Sequence, residues 1–138
     1  MTRVPVAWAG EPIKLVQLEV ILDVIARDSL LDVTRAAGQV LLSGLEAIAK
    51  SHPAVFCNAR GLGTFCAIDA TAGAAARDNA VLALRERGVL IAGCGAATIR
   101  LRPALVFTSH HAQVFLGILA EVAAALEPHA SASRQSRL

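Results

Sequence analysis

Aromatic residues are scarce in this 138-residue chain, which has no tyrosine, one tryptophan (Trp8) and four phenylalanines. Eleven of its 13 basic residues are arginine, and they are scattered along the chain rather than clustered. A nucleic-acid-binding domain shows a basic stripe, often with aromatic side chains between the basic ones. The sequence therefore predicts no nucleic-acid partner.

Lysine is also rare, since Lys14 and Lys50 are the only two, and both fall on positions that we expect to be exposed. A lysine nucleophile needs burial or a cationic neighbour to lower its pKa. The chain also lacks a glycine-rich phosphate loop and a recognisable nucleophile elbow. Motifs alone thus predict no catalytic residue and no cofactor-binding residue.

The residue types that bind metals are sparse as well. Cys57, Cys66 and Cys94 form no CxxC pair and have no zinc-like spacing, so we expect three reduced thiols in a cytosolic type of compartment. His110 and His111 are adjacent, and adjacent helix positions do not face each other. The sequence therefore predicts no metal site.

Long apolar runs are missing too. The longest uncharged run, residues 103–120, is interrupted by hydroxyl, imidazole and amide side chains, and the first residues lack the apolar core of a signal peptide. We expect a soluble protein without a membrane partner. The 55% hydrophobic content comes partly from 28 alanines, and the length fits one domain over residues 1–138.

The chain does contain segments whose apolar residues recur with the period of a helix or of a strand. Helices are predicted over 12–27, 30–50 and 74–87 and from Thr108 or Ser109 to Glu127, with a frayed tail over 129–138. Strands are predicted over 55–60, 64–69, 89–91 and 98–102. Ser29 followed by Asp32 resembles a capping box at the second helix. The order predicts an α+β fold, with a small, mainly antiparallel sheet of three to four strands covered on one face by helices.

Arg100 and Arg102 are the first candidates for a binding site. Residues two apart on a strand share a face, so both guanidinium groups should emerge on one side of the sheet while Ile99 and Leu101 face the helices. A guanidinium group holds a carboxylate through two charge-assisted hydrogen bonds. The alternative is two solvated arginines on an exposed face.

The neighbouring segment Gly93-Cys94-Gly95 is the second candidate, because glycine lets a backbone approach a ligand closely. The alternative is a tight turn without a ligand.

Four stretches of the sequence resemble one family. They are RGLGTFCAID at 60–69, GCG at 93–95, IRLRPALVF at 99–107 and HHA at 110–112. Together they resemble the C-terminal small domain of class III aminotransferases, which depend on pyridoxal phosphate, and the last three are typical of the 4-aminobutyrate and lysine 6-aminotransferase branch. The resemblance runs from about residue 8 to residue 126.

The resemblance implies an enzyme, normally a homodimer, that moves an amino group from an ω-amino acid such as 4-aminobutyrate to 2-oxoglutarate. Arg100 stands where the family binds a substrate carboxylate, Gly93 and Gly95 would lie beside that pocket, and Arg102 would be structural. The implied compartment is the cytoplasm, or the mitochondrial matrix in a eukaryote.

The family's large domain, with its cofactor lysine and phosphate cradle, has no counterpart in this sequence. We therefore expect the last third of such an enzyme, inactive in isolation. Two alternatives stay open: a non-catalytic fragment or interaction module that docks on a full-length relative, and an unrelated small-ligand-binding domain such as an amino-acid sensor.

Overall fold

The computed structural model describes the backbone of residues 11–135 and the side chains of residues 11–127. The described chain forms four helices and four strands. In chain order these are α1 (Pro12–Arg27), α2 (Leu30–Ser51), β1 (Phe56–Leu62), β2 (Phe65–Ala70), α3 (Ala74–Glu86), β3 (Ala92–Cys94), β4 (Thr98–Leu101) and α4 (Ser109–Gln135).

The four strands form one open sheet in the order β1-β2-β4-β3, and every neighbouring pair is antiparallel. Helices α2 and α3 pack on one face of this sheet, and α4 packs on α2 and α3. The predicted α+β fold, a small, mainly antiparallel sheet of three to four strands covered on one face by helices, is therefore confirmed with four strands.

The core lies between the sheet and these helices. Phe56, Ile68 and Ile99 are fully buried on the helix-facing side of three strands, where alternation of side chains places every second residue. Apolar residues at helical spacing, which predict a buried stripe on α2 and on α4, supply the opposite wall, since Leu41, Leu45, Leu119 and Val122 are also fully buried. Across the core, His52 Nδ1 lies 2.9 Å from Glu127 Oε2 and links the end of α2 to α4.

Helix α1 differs from the prediction. Apolar residues recur at helical spacing from Ile13 to Ile25, which predicts a buried side, but no residue of α1 is buried. Only Val24 and Ile25 are half-buried, where α1 meets α2. The helical spacing was right, but the described part of the chain provides no surface to cover this helix.

The third strand is displaced from its predicted position at 89–91. Strand β3 begins at Ala92, and Ala92 and Cys94 pair with Arg100 and Thr98 of β4. The turn between these strands fixes this register, because Gly95 adopts a left-handed backbone conformation (φ 55°) directly after Cys94. Gly93 and Cys94, predicted in a loop, thus belong to the strand.

Two helix ends also differ from the prediction. Ser29 adopts a left-handed conformation and makes no side-chain cap, and Asp32 pairs with Arg35 instead, so the predicted capping box is wrong. The backbone of α4 continues past Pro128 to Gln135, although the sequence predicts that the helix ends at Glu127. Among residues 11–135, no helix combines the length and apolar character needed to cross a membrane.

Candidate functional site

Arg100 lies on the sheet face that carries no helix, which we call the open face. Its neighbours Ile99 and Leu101 are buried on the helix side, while Arg100 is exposed, as strand alternation predicts. It pairs with Ala67 of β2 and Ala92 of β3, so small side chains flank it on both sides. Within the described chain, Arg100 makes no hydrogen bond and no ion pair. Its guanidinium group is therefore available to an external anion.

A groove of about 380 Å³ runs over the open face beside Arg100. Its lining includes Arg60, Phe65, Cys94 and Thr98, which come from all four strands of the sheet. Arg60 stands opposite Ala67, and Ala67 stands opposite Arg100, so the two arginines share one row across the sheet. The two guanidinium groups differ, however, because Arg60 is already engaged.

Asp69 engages Arg60 on this face. Its carboxylate lies 3.0 Å from Arg60 Nη1, and it accepts hydrogen bonds from the Asn58 amide (2.7 Å) and the Thr98 hydroxyl (2.6 Å). Burial alone would raise the pKa of Asp69, but the three hydrogen-bond donors outweigh it and the pKa lies below its usual value. Asp69 thus neutralises Arg60 and leaves Arg100 as the uncompensated cation of the row.

A β-bulge makes this cluster possible. The register of β1 shifts between Cys57, opposite Asp69, and Arg60, opposite Ala67, so that two residues of β1 face one residue of β2. Asn58 occupies the bulge with a left-handed backbone (φ 54°), which asparagine tolerates better than most residues. The extra residue turns Arg60 toward the same face as Asp69. Sequence reasoning missed the cluster, and the only local signal was an asparagine inside a strand pattern.

A second groove, of about 390 Å³, lies at the β3 edge of the sheet. Three arginines, Arg85, Arg100 and Arg102, are among the residues that line it. Arg85 Nε donates to the Ile91 carbonyl (3.0 Å), whereas Arg102 makes no hydrogen bond or ion pair within the described residues. Arg100 borders both grooves. The prediction that Arg100 and Arg102 emerge together is consistent with this geometry, although β4 ends at Leu101.

The two candidate glycines lie next to the grooves, but neither is among the residues that line them. A Cβ atom added to Gly93 would lie 2.6 Å from Cδ of Arg77, a residue of α3 on the helix side of the sheet. Arg77 also donates from Nη1 to the Gly95 carbonyl (2.6 Å). Gly93 is thus explained by its close packing against Arg77, and Gly95 by the turn that it forms. The substrate-binding role of both glycines stays a prediction.

Of the two adjacent histidines, His111 contacts the start of α4. His111 Nδ1 accepts the backbone N–H of Thr108 (3.0 Å), and its ring packs beside Phe107. This contact satisfies a donor at the helix N-terminus, as the third residue of a capping box does. Within the described residues, no three histidine, cysteine or acidic side chains cluster as metal ligands. Cys57, Cys66 and Cys94 are free thiols, and burial raises the pKa of Cys66.

Solved aminotransferase structures contain this fold. The lysine aminotransferase of M. tuberculosis superposes with a TM-score of 0.78 and 28% sequence identity, covering 88% of this chain and 28% of that protein. An acetylornithine aminotransferase from Elizabethkingia anophelis gives a TM-score of 0.71 at 25% identity, over 75% and 27% of the two chains. In both of those proteins the matched unit is little more than a quarter of a longer chain.

Sequence comparison gives the family. The class III aminotransferase model matches residues 5–123, and the chain belongs to this family. The 4-aminobutyrate aminotransferase of Schizosaccharomyces pombe is 46% identical over 111 residues, which cover 79% of this chain and 23% of that protein. The human mitochondrial 4-aminobutyrate aminotransferase is 39% identical over 117 residues, 85% of this chain and 23% of that protein. The chain spans about a quarter of these relatives, less than the third that we expected.

Pyridoxal phosphate, the cofactor that the family implies, does not fit the residues present. Lys14 and Lys50, the only lysines, are exposed on α1 and at the end of α2, and neither lines a groove beside Arg100. The described chain therefore contains an exposed arginine beside two grooves but no lysine placed to hold the cofactor.

Proposed function

We propose that this chain is the substrate-carboxylate-binding portion of a class III aminotransferase that uses pyridoxal phosphate. The proposed reaction transfers an amino group from an ω-amino acid such as 4-aminobutyrate to 2-oxoglutarate. The names of the fission-yeast and human relatives support this choice of donor. The remainder of the enzyme, which the relatives possess over three quarters of their length, would supply the cofactor site.

One observation carries the proposed role of Arg100: it is exposed on the open face without an ion-pair partner in the described chain. Arginine presents a rigid fork that matches a carboxylate, and two such hydrogen bonds fix orientation as well as charge. Asp69 favours binding at Arg100 rather than at the neighbouring Arg60, because it already forms an ion pair with Arg60. A carboxylate arriving on this face therefore meets one free guanidinium group.

The test is kinetic and uses a chimera in which this chain replaces the matching stretch of the fission-yeast relative. Arg100→Lys keeps the positive charge and loses the fork, and we expect the KM for 2-oxoglutarate to rise at least about tenfold. Arg35→Lys is the matched control, because Arg35 forms an exposed ion pair with Asp32 on α2. An unchanged KM in Arg100→Lys would contradict the assigned role.

In isolation the chain should not bind the cofactor covalently. Borohydride treatment with equimolar pyridoxal phosphate should leave the mass of the chain unchanged, because neither lysine has the buried or cationic surroundings of a nucleophile. Stoichiometric modification of Lys14 or Lys50 would contradict this expectation. The absence of a suitably placed lysine also favours a second candidate, a non-catalytic module that docks on a full-length relative.

The partners follow from the same proposal. The complete enzyme would take a small amino acid and a 2-oxo acid and would form a homodimer. It would lie in the mitochondrial matrix in a eukaryote, or otherwise in the cytoplasm; the human relative is named as mitochondrial.

A further inference from the structure

The groove of about 390 Å³ at the β3 edge of the sheet, which we call the β3-edge groove, carries charge of one sign. Arg85, Arg100 and Arg102 are among the residues that line it, and no acidic residue of the described chain joins them. A cleft that combines charges of one sign with apolar walls concentrates ions of the opposite sign. The β3-edge groove is thus suited to an anion.

All three arginines keep unused hydrogen-bond donors. Arg100 and Arg102 are exposed and make no hydrogen bond or ion pair within the part of the chain described. Arg85 uses only its Nε, which donates to the Ile91 carbonyl (3.0 Å). Because Ile91 itself lines the groove, this hydrogen bond holds the guanidinium group of Arg85 at the groove wall and leaves its Nη groups available.

Most of the remaining lining is apolar. Leu101 and Phe115 are buried there, and Val89 and Phe107 are half-buried. A bare inorganic anion would leave this apolar surface uncovered. A carboxylate with an aliphatic tail matches both parts, because guanidinium groups bind the carboxylate and each methylene group that leaves water favours binding. The volume lies within the range of small-molecule sites.

We propose that the β3-edge groove is a binding site for a small monocarboxylate with an aliphatic tail. This site is separate from the groove on the open face and needs neither the cofactor nor the proposed reaction. Arg100 borders both grooves. A ligand in the β3-edge groove therefore competes for the guanidinium group to which we assign the substrate carboxylate, and the site is inhibitory in the complete enzyme.

A titration of the chain with hexanoate, followed by amide NMR, tests the site. Saturable shifts should appear at Leu90 and Phe115, which line only the β3-edge groove, and not at Phe65 and Ala67, which line only the groove on the open face. Hexanamide keeps the tail without the charge, and acetate keeps the charge without the tail. Each should bind at least about tenfold more weakly than hexanoate.

Arg102→Gln should raise the Kd for hexanoate at least about tenfold, because a charged hydrogen-bond donor is lost. Arg87→Gln is the matched control and should change the Kd less than about twofold. Arg87 is exposed, donates to the Ala83 carbonyl of its own helix and lines neither groove. The amide signal of the fully buried Ile99 reports whether each variant keeps its core.

Three outcomes would overturn the proposal. Shifts confined to Phe65 and Ala67 would place hexanoate on the open face. Equal affinity for hexanoate and hexanamide would show that the arginines do not select an anion, and this result needs no variant. In the chimera with the fission-yeast relative, ligand-observed NMR that gives the same Kd for Arg102→Gln and Arg87→Gln would exclude the site from the complete enzyme. None of these measurements requires turnover, so their failure leaves the proposed function standing.

Discussion

The two faces of the sheet carry opposite chemistry on the same four strands. One face is dry and packed, with Phe56, Ile68 and Ile99 fully buried against three helices. The other carries Arg60, Asp69 and Arg100 beside an open groove. Alternation along a strand places these sets one residue apart. The apolar core therefore comes from side chains other than Arg100, so Arg100 can be changed without opening the core.

The largest expected effect contrasts two phenylalanines on neighbouring strands. Phe56→Ala should lower the free energy of unfolding by about 3–5 kcal/mol, because the side chain is fully buried and its removal leaves a cavity. Phe65→Ala, on the open face, should cost about 1 kcal/mol or less, since more than half of this ring is already exposed. Urea denaturation of both variants measures the difference. Similar losses would show that the open face is packed as well.

The next effect contrasts two glycines in helices. A Cβ atom on Gly38 of α2 would clash with the backbone of Gly63 in the β1–β2 turn, so Gly38→Ala should destabilise the chain by about 1–3 kcal/mol. Gly117 of α4 has open space at its Cβ position, and Gly117→Ala should stabilise by up to about 1 kcal/mol. Thermal unfolding should therefore shift in opposite directions. Shifts of the same sign would contradict the close contact at Gly38.

The smallest effect is expected at Asp69, on the polar, open face of the sheet. Asp69→Asn should cost about 1–3 kcal/mol, because the charged acceptor of three hydrogen bonds is lost. Asp32→Asn should cost well under 1 kcal/mol, because its ion pair with Arg35 is exposed. Denaturation at neutral pH gives both values.

The pH dependence tests the same carboxylate. The pKa of Asp69 is lower in the folded chain than its ordinary value of 3.8, so its contribution is complete above that value and is lost as the pH falls through the folded pKa. The stability difference between the original chain and Asp69→Asn should therefore shrink in acid. A difference that stays constant down to the lowest pH at which the chain folds would exclude this linkage.

The sequence pattern predicted burial correctly where buried residues recur with the period of a single helix or strand. The stripe of α2 and the alternation around Arg100 could be predicted because each depends on residues within one element. The strand at 89–91 could not, because the register of β3 depends on the turn at Gly95 and on Arg77 and Arg85, which bind carbonyl groups on either side of it. The capping box failed because Ser29 adopts a left-handed conformation in the tight connection between two helices.

The residues of the candidate site also differ in whether the sequence could predict them. Arg100 could be identified from its spacing and from the family resemblance, and its exposure agrees with the prediction. Asp69, Asn58 and Thr98 could not, because they come from three strands and meet only through strand pairing and a bulge. A single sequence contains no local signal for such long-range contacts.

The sequence by itself determined the fold class, the family and the face on which Arg100 lies, because periodicity and motif spacing are local properties. Only the tertiary structure decided that Arg60 is neutralised by Asp69 while Arg100 remains free, because that depends on a bulge and on pairing between strands. It also decided that α1, whose pattern predicted a core helix, has no core to join among the described residues. An apolar pattern indicates that a helix favours burial, but only the packing of the folded chain shows whether another element covers that helix.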